Sequence, residues 1–432
     1  MTFVNTVLKL KGSDVAAIAQ HADLEYGLIG AKLGHSMSPE IHAHLGHYAY
    51  DLVELPEDAL SDFLTQADFK GMNVTIPYKR AVMPFCAQLT ERARAIGSVN
   101  TLKRQADGTL LGDNTDYAGF LALVHESGLD VRGKKCLVLG SGGASLTVVA
   151  VLRDLGAGSV VTISRKGVDK YSNLDRHADA ALIVNATPVG MSPDCDASPL
   201  ASLDGFTKLE GVLDLIYNPA VTNLMQMARA RGLIAVNGLT MLVVQAAEAA
   251  SLWFDRPVNK AICASLRREL AKKACNLVLI GMPGCGKTTI GKRLAQRLQR
   301  PFVDLDAEIE KTAGMSTEVL LTQYGEPHFR EIETRVLRQF ANQHGLVLAT
   351  GGGAVVRPEN HILMRRNGLI VWIDRPLQSL ATSGRPLSQA RGVEAIFAER
   401  EPLYRGLADR YVPATDVDEA VRIILGEKSC NS

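Results

Sequence analysis

No apolar run in this 432-residue chain approaches the roughly 20 residues that a bilayer-spanning helix needs. The first residues, Met1-Thr2-Phe3-Val4-Asn5, have no uninterrupted apolar core of the kind that a secretory leader carries. A dominant charge is also missing. Lys and Arg number 47 against 46 Asp and Glu, which leaves no broad basic field for nucleic acid or anionic lipid. The seven cysteines are odd in number, scattered, and never spaced C-x-x-C, which argues against a disulfide framework and a zinc ribbon. Low-complexity tracts and short-period repeats are absent as well. These absences point to a soluble, cytoplasmic protein with reduced thiols and small-molecule partners, with no nucleic acid and no membrane among them. Its oligomeric state is not legible. The length exceeds what one hydrophobic core usually serves and predicts roughly two to four compact units.

Short apolar, β-rich runs at 135–140, 160–164, 181–185 and 211–217 are each bounded by Gly, Pro or Asn and followed by a helical pattern. This alternation is the mark of parallel sheets with crossover helices. A second cycle runs through 277–280, 302–305, 346–350 and 369–373. A charged helical stretch at 262–274 separates the two, with the boundary near residue 275.

In the second cycle, Gly281-Met282-Pro283-Gly284-Cys285-Gly286-Lys287-Thr288 satisfies G-x-x-x-x-G-K-[ST] at every position. It follows an apolar strand and precedes Ile290, Leu294 and Leu298, the stripe of a helix. Glycines there let backbone N–H groups turn inward onto phosphate, Lys287 neutralises charge, and Thr288 can ligate Mg²⁺. The ATP site is expected at Gly284, Cys285, Gly286, Lys287, Thr288 and Thr289. Further along stand Asp304-Leu305-Asp306, Phe329-Arg330-Glu331-Ile332-Glu333, Gly351-Gly352-Gly353, Arg385-Pro386-Leu387 and Arg400-Glu401-Pro402-Leu403-Tyr404. Taken together, these clusters closely resemble shikimate kinase across nearly the whole block. The resemblance implies that Asp306, Arg330, Gly351, Gly352, Gly353 and Arg400 hold shikimate. It also implies that Asp306 and Lys287 carry the chemistry and that Arg385 lies in a lid over ATP. A guanidinium fork suits a carboxylate, and an acidic residue beside the acceptor hydroxyl suits a base. The segment from Arg385 to Arg400 is shorter than in many relatives, and Thr382-Ser383-Gly384 lacks an arginine often found before R-P-L.

In the first cycle, Gly140-Ser141-Gly142-Gly143-Ala144-Ser145 approximates a dinucleotide fingerprint. After the next strand, Ser164 is followed by Arg165 and Lys166 where an NAD site usually places an acid, so NADP is preferred. In order along the chain come Gly34-His35-Ser36-Met37-Ser38-Pro39, Asn73-Val74-Thr75-Ile76-Pro77-Tyr78-Lys79, Ser98-Val99-Asn100-Thr101 and Gly112-Asp113-Asn114-Thr115-Asp116. Asn185-Ala186-Thr187-Pro188, Tyr217-Asn218-Pro219, Asn237-Gly238 and Gln245 follow. This series closely resembles shikimate dehydrogenase from about residue 26 to 255. It implies substrate binding by Ser36, Ser38, Thr75, Asn100 and Gln245, a catalytic pair of Lys79 and Asp116, and NADP contacts extending to Tyr217 and Gly238. Leu146 stands where an arginine is frequent, and only about twenty residues separate Arg165 from Asn185, fewer than in many relatives. His35, His42, His44 and His47 cluster, but the helical pattern around His42 disfavours a zinc site.

The expected fold is α/β: a two-lobed dehydrogenase followed by a P-loop kinase domain with a parallel sheet. The substrate lobe takes 1–116 and is completed by 239–260, the Rossmann-like NADP lobe takes 117–238, a helical linker 261–275, and the kinase 276–432. The expected function is bifunctional. NADPH reduces 3-dehydroshikimate to shikimate, and MgATP then phosphorylates shikimate. An NAD-linked quinate dehydrogenase is the rival enzyme, and Arg165 and Lys166 speak against it. A ligand-sensing regulator is the rival outside catalysis, and retention of Lys79, Asp116, Lys287 and Asp306 speaks against that.

Overall fold

The computed structural model describes residues 7–9, 24–34, 36–380, 392–413 and 416–427. His35, Arg385 and Cys430 lie outside the described residues. The chain divides into two compact units. The first takes Met1–Gly190, Ala197–Tyr217 and Leu224–Glu269, and the second Met191–Asp196, Asn218–Asn223 and Leu270–Ser432.

The first unit holds two sheets. The seven-stranded one is built from β1 Val7–Lys9, β2 Tyr26–Gly30, β3 Asp51–Glu54, β4 Gly71–Val74, β5 Gln88–Leu89, β6 Thr101–Arg104 and β7 Leu110–Asp113. Its order is β1-β3-β2-β4-β6-β7-β5, parallel except where β6 pairs with β4 and β7. The helix Leu239–Phe254 returns to this lobe. Its Trp253 is buried, donates its indole N–H to the Leu102 carbonyl at 2.9 Å, and stacks 5.4 Å from the His42 ring. Gly71 is required beneath it, because a Cβ there would lie 2.5 Å from the indole nitrogen.

The second sheet contains β8 Lys135–Leu139, β9 Ser159–Ile163, β10 Leu182–Asn185, β11 Gly211–Asp214 and β12 Ile234–Val236. All are parallel, in the order β12-β11-β10-β8-β9. Strand β8 is nearly all apolar because both of its faces are covered. The chain reverses direction across the sheet between β8 and β10. The loops beyond that switch point are where doubly wound sheets bind ligands.

The second unit has one parallel sheet of β13 Asn276–Ile280, β14 Phe302–Asp304, β15 Val347–Ala349, β16 Gly368–Asp374 and β17 Arg410–Pro413. The order is β14-β15-β13-β16-β17, with β13 central. The helix Lys287–Leu298 follows β13 directly and buries Ile290 and Leu294 against the sheet. Truncating a leucine so placed typically costs about 2–5 kcal/mol, so the phosphate loop is fixed at both ends by core packing. Trp372 of β16 is buried, with Tyr404 and Tyr411 rings 5.9 and 5.1 Å away. The charged stretch between the sheets forms the helix Lys260–Ala274. Among the described residues, no helix is long and apolar enough to cross a membrane.

Candidate active sites

In the first unit, the loop after β4 carries Lys79 and the helix Asp116–Ser127 begins at Asp116. Lys79 Nζ donates to Asp116 Oδ2 at 2.5 Å, with both side chains largely buried. Asn100 stands beside them in the sequence of polar contacts. Its Oδ1 accepts from the Thr115 backbone N–H at 2.7 Å, and its amide lies 3.5 Å from Gln245 Oε1. That bond draws the helix Leu239–Phe254 to the site. Ser36 Oγ donates to Ser38 Oγ at 3.1 Å, and Ser38 is buried against the Tyr50 hydroxyl. Thr75 is half-buried and shows no side-chain hydrogen bond among the described residues.

The glycine loop closes on this pair. Gly140 has φ of 106°, a left-handed value suited to glycine, and a Cβ there would meet Thr187 and Ala186 at the end of β10. Ser145 Oγ donates to the Gly140 carbonyl at 2.7 Å and holds the turn against the helix Gly143–Asp154. A Cβ on Gly143 would sit 3.1 Å from Ser98 Oγ and 3.2 Å from the Lys79 side chain. Gly143 thus sets the glycine turn directly against the Lys79–Asp116 pair. Asn114 ties the same region together, donating to the Ser98 carbonyl at 2.8 Å and to Thr147 Oγ1 at 3.1 Å. Ser141, Gly142 and Ala144 complete the turn. Ser164 is buried at the end of β9, while Arg165 and Lys166 after it are exposed cations. Tyr217 follows β11, and Gly238 is packed so closely that a Cβ would lie 2.1 Å from the Leu215 carbonyl oxygen.

His42 is a core residue. It stacks on Tyr50 with ring centroids 3.9 Å apart, and its Nδ1 lies 2.6 Å from the Tyr48 hydroxyl. Burial lowers its pKa to about 3. Among the described residues, no group of three or more His, Cys, Asp and Glu side chains is placed to hold a metal.

In the second unit, a cavity of about 530 Å³ opens over the phosphate loop. Its wall gathers Gly284, Gly286, Lys287, Thr288, Thr289, Asp306, Arg330, Gly351, Gly352, Gly353 and Arg400. Cys285 turns instead into the hydrophobic core, leaving only its backbone for a ligand. Lys287 Nζ donates to the Gly281 and Met282 carbonyls at 2.9 Å each. Thr288 Oγ1 donates to Asp304 Oδ2 at 2.7 Å. Asp304 also caps the helix Leu305–Ala313 by accepting from the Asp306 N–H at 3.1 Å. Hydroxyl and carboxylate oxygens together are the hard donor set that Mg²⁺ takes.

Asp306 is open to the cavity yet ringed by protein on its other sides. This partial loss of water raises its carboxyl above the usual range, against the pull of Lys287. Arg330 is held from three directions. Its Nη1 pairs with Glu333 Oε2 at 2.9 Å, its Nη2 with Glu326 Oε1 at 2.9 Å, and its guanidinium lies 5.2 Å from the Phe329 ring. Glu333 is fully buried, and its second oxygen has no hydrogen-bond partner among the described residues. Burial raises its pKa while Arg330 opposes the shift. Arg400 is buried and its Nε is unpartnered among the described residues. Tyr404, on the same helix, donates to the Gly352 carbonyl at 2.5 Å.

The glycines are fitted to these groups. A Cβ on Gly351 would lie 2.8 Å from Asp306 Oδ1, one on Gly352 would collide with Pro283 at 2.5 Å, and one on Gly353 would lie 2.1 Å from Arg330 Nη2. Asp304, Glu333 and Arg375 belong to the cavity wall but are absent from the residues expected on sequence grounds. Glu333 was within reach, since it stands three residues after Arg330 on one helical face. Asp304 had the signal of a helix N-cap.

Comparison with known proteins separates the halves. The shikimate dehydrogenase of Halothermothrix orenii is 35% identical over 277 residues, which take in 95% of that protein and 55% of this chain. The chain belongs to the shikimate dehydrogenase family. The dehydrogenase of Oleidesulfovibrio alaskensis is 39% identical, with 96% of its length and 58% of this chain covered. Among solved structures, a chorismate mutase/shikimate 5-dehydrogenase fusion protein from Clostridium acetobutylicum aligns with a TM-score of 0.53 and 38% identity, over 57% of this chain and 96% of that one. The Thermus thermophilus shikimate 5-dehydrogenase, solved with NADP(H) and shikimate, gives 0.51 and 32%, over 57% and 99%. The family model for the shikimate dehydrogenase substrate binding domain matches residues 28–102 of the dehydrogenase half. The shikimate kinase family model matches residues 283–425, beyond the dehydrogenase half, so this member carries a shikimate kinase domain as well.

Proposed function

We propose that this chain catalyses two consecutive steps: reduction of 3-dehydroshikimate to shikimate with NADPH, then phosphorylation of the shikimate 3-hydroxyl with MgATP. The observation that carries the reading is the convergence of the halves on one compound. A chain that spans 95% of a shikimate dehydrogenase also holds a cavity gathering Lys287, Asp306, Arg330 and Arg400.

When bound, NADPH supplies the hydride and MgATP the transferable phosphoryl group. In the dehydrogenase half, Ser36, Ser38, Thr75, Asn100 and Gln245 hold the carboxylate and ring hydroxyls, since each buried polar atom of the substrate needs a partner. Lys79, held by Asp116, delivers a proton to the oxygen on which negative charge develops as the carbonyl is reduced. The turn Gly140 to Ala144, with Tyr217 and Gly238, takes the dinucleotide, and Arg165 and Lys166 meet its 2′-phosphate. In the kinase half, Thr288 and Asp304 hold Mg²⁺, the latter directly or through water, and Lys287 with the loop N–H groups takes the phosphates. Arg330 and Arg400 grip the shikimate carboxylate, and Asp306 accepts the hydroxyl proton. Arg385 would complete the nucleotide side. The domain division follows: substrate lobe 1–116 with 239–260, NADP lobe 117–238, linker 261–275, kinase 276–432. A cytoplasmic location fits a protein that draws on NADPH and ATP.

A paired assay tests the reading. NADPH oxidation should require 3-dehydroshikimate, and ATP-dependent phosphate transfer should require shikimate. Absence of either activity in folded protein overturns the bifunctional claim.

A further inference from the structure

We infer that Arg375 is a nucleotide-binding residue of the kinase domain, its guanidinium directed at the triphosphate oxygens; this inference rests on the kinase reading above. The sheet puts it there. Strand β16 runs parallel to β13 with Trp372 opposite Ile280, the last residue of β13, and continues two residues further, so β13 feeds the phosphate loop while β16 delivers Asp374 and Arg375 at the same edge of the sheet. The two loops touch at their roots, since a Cβ on Gly281 would lie 2.3 Å from the Ile373 carbonyl oxygen. Arg375 then reaches across the phosphate loop. Its Nη1 is 4.0 Å from where a Cβ of Gly286 would stand, and it lines the same cavity as Lys287 and Thr288.

Three observations separate this side chain from an ordinary surface arginine. It is half-buried at the cavity wall. Among the described residues it makes no ion pair or hydrogen bond, whereas Arg330 in the same cavity is committed to Glu326 and Glu333. The adjacent carboxylate of Asp374 is engaged elsewhere, accepting from the Tyr411 hydroxyl at 3.0 Å. A half-buried guanidinium without a carboxylate partner is free to take an anion from the cavity, and the anion this cavity serves is a polyphosphate. Among the described residues, Lys287 and Arg375 are the cations that line the cavity at the phosphate loop, and both suit the negative charge of a magnesium-bound triphosphate. Lys287 acts as a point charge at the helix N-terminus, and Arg375 adds a planar fork from the opposite strand. Arg375 also borders a second cavity of about 270 Å³ walled by Leu377, Phe397, Tyr411 and Pro413. It therefore stands between a polar chamber and a largely apolar one.

The test uses the full chain with Arg375→Ala and Arg375→Lys, and thermal unfolding of the second unit, compared with the parent, reports that each is folded. Dissociation constants for MgADP and for inorganic tripolyphosphate are measured by calorimetry, and KM for ATP and for shikimate by kinetics. Arg375→Ala should weaken both polyphosphate ligands and raise KM for ATP by about tenfold or more, the lower end of what one charge-assisted hydrogen bond is worth. KM for shikimate should move less than about twofold, and Arg375→Lys should recover part of the loss. Unchanged affinity for both ligands overturns the inference. So does weakening of MgADP alone with tripolyphosphate unaffected, which would assign Arg375 to the base. A parent chain without kinase activity would overturn the kinase reading itself, a result distinct from either.

Discussion

Gly353→Ala isolates one contact of the kinase site. The backbone at Gly353 has φ of −99° and ψ of 1°, values that non-glycine residues adopt in type I turns, so the substitution acts chiefly through its methyl group. That carbon would lie 2.1 Å from Arg330 Nη2 and 2.6 Å from Cζ and Nη1. Restoring ordinary contact requires the guanidinium to retreat by about 1.3 Å or more, and a misplacement of about 1 Å already costs on the order of 10²-fold in rate. Retreat is opposed by the pairs to Glu326 and Glu333, each hydrogen bond to a charged group being worth about 1.5–3 kcal/mol. The expected outcome is a fall of about 10- to 100-fold in kcat/KM for shikimate, with KM for ATP within about twofold. Coupled-enzyme kinetics on the full chain measures both, and NADPH oxidation by the same protein should match the parent. A variant whose kcat/KM for shikimate stays within about threefold of the parent would refute the claim that position 353 is glycine to admit Arg330.

Lys79→Ala should lower dehydrogenase kcat by about 10²- to 10⁴-fold, the usual worth of a general acid, while leaving shikimate phosphorylation intact; near-normal NADPH turnover would sink the assignment. Asp306→Asn should cost the kinase a comparable factor. Because Asp306 is raised and must be ionised to accept a proton, parent kcat should fall as pH drops through a value above the ordinary aspartate range near 3.9, and an acid limb at the ordinary value would contradict the site description. His42 sets a different pH dependence. Its folded pKa of about 3 lies below the unfolded 6.5, so the unfolded chain binds more protons between those values and stability falls as pH drops below 6.5, by at most about 1.4 kcal/mol per unit. Urea unfolding of the first unit at pH 7 and pH 5 should reveal this slope, and His42→Phe should flatten it; an equal slope in both proteins refutes it.

Much of the fold was legible because its signals are contiguous. The phosphate loop, the glycine turn at 140–143 and the apolar runs of β8 and β13 each express local backbone requirements, and the observed strands Lys135–Leu139 and Asn276–Ile280 fall where those runs lie. Residues joined only by sheet order were harder to find. Arg375 sits 87 residues after Thr288, the end of the phosphate loop, and nothing local in Asp374-Arg375-Pro376 announces that β16 lies beside β13. Glu333 was visible as a helical neighbour of Arg330, but its complete burial follows from packing that periodicity does not encode. The histidines near residue 42 show the converse: a metal-like composition resolved by aromatic stacking with Tyr50 and Trp253, a contact spanning more than 200 positions.

The chain has two tryptophans, and they fall one to each unit: Trp253 behind the dehydrogenase substrate lobe and Trp372 in the strand that ends at Asp374 and Arg375. Both are buried, yet they differ in environment, since the Trp253 indole N–H is hydrogen-bonded to Leu102 while that of Trp372 is unpartnered among the described residues. Each catalytic half therefore contains its own intrinsic fluorophore. Trp253→Phe leaves an emission signal that belongs to the kinase, and Trp372→Phe one that belongs to the dehydrogenase. Ligand titrations and unfolding curves can then be recorded for one half of the intact enzyme while the other half is at work.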